Sequence, residues 1–322
     1  MALGDAPAPM EPLPIPHPKV ALVLGSGGLN CLAAIPLIEF LEQHRIRPGL
    51  LVGCSGGSIP LAVWACGHRG QDMEVIWKRV NAGIFIRDWR SIASMLGVGW
   101  GFTKDLCIFK PGPVFKALET LFGGRRLEDL DPPLVLQSTD FETGEGVELE
   151  SGDLVQTVYA SCAAYPFLHP IRLHGRWLFD GVFSSPVPIL PAVRRGVDLI
   201  LAMDFMERLR PQPRNLFEAM RHLDNVIGRS IYQSQTLASI DLHRHEILQM
   251  KVRFNEVGVT QMWDTAAFER IQAAGRQAVA EYGGEILELV NSFKVPQADG
   301  LQPGHPPNGA RHESLFNRGP SR

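Results

Sequence analysis

The chain has 322 residues, of which 45% are hydrophobic and 20% charged, and its formal net charge is −3. This length and composition allow a sizeable core and exclude an intrinsically disordered chain, and the balanced charge excludes the basic footprint of a nucleic-acid-binding protein. The odd number of cysteines and the lack of CxxC spacing speak against a disulfide framework or a zinc site. We therefore expect free, mostly buried thiols at Cys31, Cys54, Cys66, Cys107 and Cys162.

The first predicted element follows a proline-rich lead-in, residues 1–18, which has no signal-peptide pattern and which we expect to be disordered. Residues 19–24 form a short apolar run typical of a buried strand. The run leads into a glycine-rich loop, Gly25-Ser26-Gly27-Gly28-Leu29-Asn30. Uncovered N–H groups at the start of a helix suit a phosphate or the oxyanion of an acyl transfer. A tight turn without a ligand also stays open, whereas the third glycine and the acidic residue of a dinucleotide site are missing.

A serine then stands at a sharp turn between a strand and a helix. A helical pattern over 29–45 contains Pro36, which either kinks the helix or marks its start. A second strand at 50–52 runs into Gly53-Cys54-Ser55-Gly56-Gly57, and a buried helix is predicted over 56–66. Such a turn projects the serine hydroxyl from the sheet, and the glycines let the backbone fold on itself. The motif alone is weak, but its context is the one that a nucleophilic serine needs.

An apolar segment separates the next two helical patterns, at 71–82 and 113–122. Residues 83–109 carry few charges and include Trp89 and Trp100. We interpret this segment either as ordinary core or as a lid or acyl-chain channel that touches a bilayer. No polybasic cluster flanks it, so tight binding to anionic lipid is not implied.

A second candidate site loop follows a later strand. Strands at 134–141 and 146–149 form a predicted hairpin, and a helix at 153–161 precedes a strand at 177–180. This strand ends in Asp180-Gly181-Val182, on a loop stiffened by Pro186 and Pro188. An Asp-Gly pair alone is typical of a turn. Here, as at Ser55, it comes directly after a strand end, where α/β sheets bind their ligands.

The rest of the chain completes the predicted fold. A strand at 198–204 precedes long helical patterns at 215–242 and 265–289, and the alternation predicts an α/β fold with a largely parallel central sheet flanked by helices. We expect one domain with a core at 19–205, a C-terminal helical part at 206–294 and a flexible tail at 295–322. No run of 18 apolar residues predicts a transmembrane helix. We expect a cytoplasmic protein, with at most a peripheral contact at the inner membrane surface.

A nucleophilic serine needs a base, and the residues leave two arrangements open. A histidine oriented by an acid is one, and the candidates are His169, His174, His222, His243 and His245. The other is a direct pair in which Asp180 accepts the serine proton, with its basicity set by partial burial.

Three segments resemble, in this order, the patatin-like phospholipase family: LVLGSGGLNCLAAIPLIEFLE, LLVGCSGGSIPLAVWA and ASCAAYPFLHPIRLHGRWLFDGVFSSPVPI. The resemblance covers roughly residues 19–205. It implies a serine–aspartate dyad without histidine, with Ser55 as the nucleophile and Asp180 as the base. It also implies an oxyanion hole formed by the N–H groups of Gly27 and Gly28, with supporting glycines at Gly25, Gly53, Gly57 and Gly181.

The chain departs from the family pattern at two of these motifs. The family loop typically reads Gly-Gly-Gly-x-Arg-Gly, whereas Ser26, Asn30 and Cys31 stand here at the first glycine, the arginine and the last glycine. Val182 replaces the small residue that usually follows Asp-Gly. The missing arginine affects the loop geometry or the charge near an acyl or phosphate group, but it leaves both glycine donors in place.

The resemblance implies a serine lipid acyl hydrolase that cleaves carboxyl esters of phospholipids, lysophospholipids or related fatty acyl esters. The expected partner is a lipid or fatty acyl ester, with no cofactor, metal or nucleic acid. One alternative is an acyl-CoA thioesterase or acyltransferase. A second alternative, supported by Asn30 and Cys31, is a non-catalytic lipid-binding or regulatory protein.

Overall fold

A computed structural model describes residues 18–80, 86, 88, 92, 107–205, 216–241, 246–254 and 265–293. The strands of this part are β1 Val20–Leu24, β2 Leu50–Cys54, β3 Leu134–Asp140, β4 Gly146–Leu149, β5 Ile171–Leu173, β6 Arg176–Asp180, β7 Leu199–Asp204 and β8 Glu246–Lys251. Its helices are α1 Ile35–Gln43, α2 Ser58–Ala65, α3 Gly70–Val80, α4 Pro111–Phe122, α5 Leu154–Cys162, α6 Leu190–Arg194, α7 Leu216–Asp241 and α8 Thr265–Ser292. Short 3-10 turns lie at Gly28–Ala34, Ser55–Gly57, Leu127–Asp129 and Gly181–Phe183.

These strands form one eight-stranded sheet in the order β5-β6-β3-β2-β1-β7-β8, with β4 also paired to β3. The pairs β1–β2, β2–β3, β1–β7 and β7–β8 are parallel. The prediction of an α/β fold with a largely parallel central sheet flanked by helices is therefore confirmed. The strand that ends at Asp180 differs from the others, because β6 runs antiparallel to β3 with Asp180 opposite Ser138. Asp180 therefore lies in the part of the sheet where the strands are antiparallel.

Apolar layers cover both faces of the sheet. The larger core contains Leu22, Leu24 and Leu51 together with residues of α1, α2, α5 and α8. The opposite face buries Val23 and Val52 against α6 and against Tyr232 of α7. β1 and β2 are buried on both faces, which is why each is a nearly continuous apolar run rather than an alternating one.

The segment after β1 begins with a 3-10 turn, and α1 starts only at Ile35. Pro36 therefore marks the start of the helix and does not kink it, since a proline in the first turn removes no helical hydrogen bond. α8 packs directly on this 3-10 turn. Gly275 lies so close to the Ala33 carbonyl that a Cβ would collide with it, and the Gln272 side chain donates a hydrogen bond of 2.7 Å to the Leu32 carbonyl.

The C-terminal part of the chain also contributes to the sheet. β8 lies within the segment predicted as helical, where the sequence indicated no strand, and it pairs in parallel with β7. No helix among the described residues is long and apolar enough to cross a membrane.

Several predictions lie outside the described residues: the lead-in and tail, nearly all of 83–109 including Trp89 and Trp100, and both His243 and His245. The division at residues 205 and 206 stays a prediction.

Candidate active site

Ser55 occupies a strained backbone conformation between β2 and α2. Its φ of 53° lies in the left-handed region, which residues other than glycine rarely adopt. Such a conformation costs on the order of 1–3 kcal/mol and persists only where the surrounding structure fixes it. This conformation places the Ser55 hydroxyl at the carboxyl end of β2, at the turn that the sequence predicted.

The glycines around Ser55 allow two backbone segments to touch. A Cβ on Gly53 would lie 2.8 Å from the Ser58 Cα, and one on Gly57 would lie 2.5 Å from the Gly25 carbonyl oxygen. A Cβ on Gly56 would collide with the Gly28 carbonyl. The turn at Ser55 is therefore packed directly against the glycine-rich loop after β1, which brings the first two predicted site loops together.

The side chains of Ser55 and Asp180 form a direct pair. The Ser55 hydroxyl donates a hydrogen bond of 2.6 Å to Asp180 Oδ2, and the Val182 amide donates one of 2.9 Å to Oδ1. Only 1% of the surface of Asp180 is exposed. Burial raises the pKa of the Asp180 carboxyl to about 7, while the hydrogen bonds from Ser55 and Val182 act in the opposite direction. The carboxyl group can therefore gain or lose a proton near neutral pH.

The loop after β6 is held by its main chain. Thr139 Oγ1 donates a hydrogen bond of 2.8 Å to the Asp180 carbonyl, and a Cβ on Gly181 would collide with the Gln137 carbonyl. Val182 departs from the family pattern, yet the group that contacts Asp180 is its backbone N–H. The departure therefore leaves this hydrogen bond available.

The glycine-rich loop contributes free amides beside Ser55. Among the described residues, the hydrogen bonds of this loop use the amides of Gly25 to Met203, of Ser26 to Pro186 and of Asn30 to Gly27. The amides of Gly27 and Gly28 have no acceptor in that part of the chain. Gly28 has a φ of +56°, and apart from its own neighbours in the chain no described heavy atom lies within 4 Å of its Cβ position.

The residues that replace the family's first glycine, arginine and last glycine are buried. Ser26 and Asn30 are each 6% exposed, and Cys31 is fully buried. The Cys31 thiol donates a hydrogen bond of 3.4 Å to the Gly25 carbonyl. These side chains pack within the protein around the loop, so the family's arginine has no charged counterpart at this position.

Three consecutive residues at the end of α5 contact the main chain of both site residues. The Ser55 amide donates to Ser161 Oγ at 3.1 Å, and the Cys162 thiol donates to the Ser55 carbonyl at 3.0 Å. The Asp180 amide donates to the Ala163 carbonyl at 3.2 Å. Sequence reasoning missed this role of Ser161 and treated Cys162 only as a buried thiol. Their one signal was their place inside the third family-like segment.

No described histidine takes the place of Asp180. Among the described residues, the Ser55 hydroxyl has one hydrogen-bond partner, the Asp180 carboxylate. The His169 ring contacts the Pro170 carbonyl and packs edge-on against Trp177, His174 lies in the β5–β6 turn, and His222 lies on α7. The described part of the chain also holds no group of three His, Cys, Asp or Glu side chains that could bind a metal. The geometry favours a direct Ser–Asp pair over a triad.

An exposed aromatic cluster flanks the loop after β6, and we call it the aromatic rim. Phe141, Trp177 and Tyr165 are 46%, 39% and 36% exposed. Phe141 packs edge-on against Tyr165 and against Phe179, and Phe179 stacks on Phe183 with ring centres 4.8 Å apart. Phe179 directly precedes Asp180. The rim therefore places large apolar surface in water around β6, the strand that ends at Asp180.

Comparisons with known proteins find relatives at modest identity and a solved structure of low similarity. An uncharacterized NTE family protein of Mycobacterium tuberculosis is 28% identical over 199 residues, 62% of this chain and 52% of that protein. Lysophospholipase NTE1 of Candida glabrata is 29% identical over 189 residues, 58% of this chain and 10% of that protein. The solved structure of human GIVD cytosolic phospholipase A2 with methyl gamma-linolenyl fluorophosphonate has a TM-score of 0.45 at 14% identity, covering 85% of this chain and 58% of that chain.

The chain spans about half the length of the mycobacterial relatives that it matches and a smaller share of the yeast ones. The family model described as patatin-like phospholipase matches residues 22–193, which include most of β1, the Ser55 turn, the Asp180 loop and most of α6. Since this match covers more than half of the chain, the protein belongs to the patatin-like phospholipase family.

Proposed function

We propose that this protein is a serine lipid acyl hydrolase that cleaves carboxyl esters of phospholipids, lysophospholipids or related fatty acyl esters. The observation that carries the proposal is the 2.6 Å hydrogen bond from the Ser55 hydroxyl to the buried Asp180 carboxylate. Family membership and the relative named lysophospholipase NTE1 support a lipid ester as the substrate.

In the proposed acylation step, Ser55 Oγ attacks the carbonyl carbon of the ester while its proton passes to Asp180 Oδ2. The carbonyl oxygen gains the electron pair of the C=O π bond and becomes an oxyanion. When this intermediate collapses, the bond to the leaving alkoxide breaks, and Asp180 returns the proton to that oxygen. The products are a free alcohol and an acyl group on Ser55.

The amides of Gly27 and Gly28 are the proposed oxyanion donors. They lack acceptors among the described residues and lie on the loop that packs against the Ser55 turn. Donors fixed in advance stabilise a developing negative charge without reorganising during the reaction. In this proposal the buried Asn30 and Cys31 support the loop and do not contact the substrate.

Deacylation repeats the same proton transfers with water as the nucleophile. Water attacks the acyl carbon, Asp180 accepts a proton from it, and the proton then goes to Ser55 Oγ as the acyl–oxygen bond breaks. The products are a carboxylic acid and the free enzyme. The pKa of Asp180, near 7, suits this double role because the group must both accept and donate a proton.

We further propose that the enzyme works in peripheral contact with a lipid surface through the aromatic rim. Tyrosine and tryptophan combine an apolar ring with a polar group and favour the boundary between hydrocarbon and water. The rim packs on Phe179, which directly precedes Asp180 on β6. A bilayer that covered the rim would therefore meet the strand that carries the proposed base.

The test is covalent labelling and lipid hydrolysis by the purified protein and its Ser55→Ala variant. The wild type should react with a fluorophosphonate and release fatty acid from a mixture of phospholipids and lysophospholipids. Ser55→Ala should lose both activities, by about 10⁴-fold or more, with an unchanged melting temperature. Near-normal turnover by Ser55→Ala would disprove the proposed nucleophile.

Two other outcomes would favour the alternatives. Acyl release from acyl-CoA but not from phospholipid would identify a thioesterase or acyltransferase. A wild-type protein that neither labels nor hydrolyses, yet binds lipid, would identify a non-catalytic lipid-binding protein.

A further inference from the structure

We infer that Ser161 and Cys162 are positioning residues, and that residues 161–163 at the end of α5 hold Ser55 and Asp180 in one rigid frame. Neither side chain touches the reacting hydroxyl or carboxylate; both act on the main chain that carries the Ser55 hydroxyl. The inference rests on the proposed function, and it extends that proposal to residues outside the dyad. We call residues 161–163 the bracket.

Every hydrogen-bonding capacity of the Ser161 hydroxyl is used. It donates its single proton to the Gln137 carbonyl at 2.7 Å. It accepts from the Ser55 amide at 3.1 Å, and it lies 2.8 Å from the Ser58 hydroxyl, which must then be the donor. A serine hydroxyl has one donor and two acceptor sites, so this set is complete. Replacing Ser161 by alanine would remove an acceptor from the Ser55 amide and from the Ser58 hydroxyl, and a donor from the Gln137 carbonyl.

The next two residues complete the bracket. The Cys162 thiol donates to the Ser55 carbonyl at 3.0 Å, so consecutive side chains hold the two polar main-chain groups of Ser55. Burial and the nearby Asp180 carboxylate raise the pKa of the Cys162 thiol well above its usual value, which keeps the donor proton on sulfur. The Ala163 carbonyl accepts from the Asp180 amide at 3.2 Å. One helix end thus contacts the proposed nucleophile and the proposed base.

Ser55 needs this support because of its backbone conformation. A φ of 53° at a non-glycine residue relaxes unless neighbouring groups fix it. The amide and the carbonyl of Ser55 flank that torsion angle, and the bracket holds both. Relaxation would turn the hydroxyl away from Asp180, and a displacement of about 1 Å at a reacting group can cost about a hundredfold in rate.

The first test compares matched variants for kcat and KM on a soluble p-nitrophenyl ester and for the rate of fluorophosphonate labelling. Ser161→Ala should lower kcat and the labelling rate by about 10- to 100-fold, with KM changed by less than about threefold. Cys162→Ala should lower both rates by a smaller factor, about three- to tenfold, and Cys162→Ser should restore them because it keeps a donor.

Two controls remove similar groups elsewhere. Thr157→Val deletes a buried hydroxyl from the same helix, which among the described residues bonds to the Asp153 and Leu154 carbonyls. Cys66→Ala deletes a buried thiol at the end of α2. Both should keep kcat within about twofold. If Thr157→Val matched Ser161→Ala in its loss, the effect would come from a weakened helix and the inference would be wrong.

The second test is independent of any turnover. Crystal structures of the wild type and of Ser161→Ala should show Ser55 leaving its positive φ or its hydroxyl moving away from Asp180, with the sheet unchanged. A Ser161→Ala structure that retained the φ near +53° and the 2.6 Å contact would overturn the bracket even in an active enzyme. A wild type without hydrolase activity would instead refute the proposed function, while the two structures would still decide the bracket.

Discussion

Ser55 and Asp180 are each held in an energetically unfavourable state by the structure around them. Ser55 holds a strained φ, and Asp180 holds an acidic group at 1% exposure. Burial of a carboxylate disfavours its charged form, and two hydrogen bonds are too few to cancel that effect fully, so the pKa of Asp180 rises to about 7. A carboxyl group in water would be a far weaker base, so the burial that destabilises the ion also prepares it to accept a proton.

The raised pKa predicts a specific pH dependence. Asp180 must be ionised to accept the serine proton, so kcat/KM should rise with pH through a midpoint near 7 and fall about tenfold per unit well below it. Initial rates on a soluble ester between pH 5 and 9 measure this profile. A rate that stayed flat down to pH 5 would contradict Asp180 as the base.

The Asp180→Asn variant supplies the matching comparison. It keeps the shape of the side chain but removes the proton acceptor, so its activity should fall as severely as that of Ser55→Ala and show no midpoint near 7. His222→Gln should leave turnover within about tenfold, since no proton transfer is assigned to it. A loss in His222→Gln as large as that in Asp180→Asn would indicate a triad.

At the scale of elements, the contact between the Ser55 turn and the glycine-rich loop is backbone against backbone. Neither segment can yield as a flexible side chain would, because Gly56 faces the Gly28 carbonyl itself. A side chain at position 56 must therefore separate the proposed nucleophile from the proposed oxyanion donors. The arrangement explains why Gly56 and Gly57 follow the serine.

The Gly56→Ala variant tests this contact. We expect it to reduce the fluorophosphonate labelling rate at least tenfold and the free energy of unfolding by about 1–3 kcal/mol, since the extra methyl group forces the backbone apart. The control is Gly284→Ala on α8, where the described structure leaves open space at the Cβ position. That change should stabilise the protein by about 0.5–1 kcal/mol and leave labelling unchanged. Labelling of Gly56→Ala at the wild-type rate would show that the two loops separate without consequence.

Elements with a continuous apolar pattern could be predicted from the sequence. β1 and β2 are such runs, and the Ser55 turn follows directly from the glycines after β2. β8 was missed because its apolar residues Ile247, Leu248 and Met250 form only a short pattern, which is interrupted by Gln249 and flanked by Glu246 and Lys251. The antiparallel direction of β6 could not be predicted either, since a strand's pattern does not encode which way its partner runs.

The bracket was beyond sequence reasoning for a different reason. Ser55 and Ser161 are 106 positions apart, and an Ala-Ser-Cys-Ala run on a helix has no pattern that points to a distant amide. The burial of Asn30 was equally hidden. Periodicity places residues on elements, but contacts between the ends of different elements depend on how the whole sheet is assembled.

At the scale of the whole molecule, the aromatic rim defines the orientation in which the protein would meet a lipid surface. We predict that Phe141→Ser with Trp177→Ser weakens binding to phosphatidylcholine vesicles about tenfold or more in a flotation assay, because two apolar side chains no longer enter the interface. Hydrolysis of a soluble ester should not change, since neither residue contacts Ser55 or Asp180.

A matched pair on α7 provides the control. Leu223 and Ile227 are 58% and 47% exposed and lie four residues apart on one helix. Changing both to serine removes a comparable apolar surface away from the rim and should leave vesicle binding within about twofold. Loss of binding in this pair alone would assign the membrane contact to α7 and not to the rim.

The long separation of the bracket from Ser55 has a consequence for the newly made protein. A ribosome adds about 5–20 residues per second, so Ser55 is synthesised roughly 5 to 20 seconds before Ser161, and Asp180 follows later still. During that interval the emerging chain contains the proposed nucleophile without its frame or its base. In the proposed mechanism, a chain that is terminated before residue 180 has the nucleophile but no base, so we expect it not to hydrolyse lipid esters. The proposed activity thus requires a chain that extends past Asp180 and has folded around it.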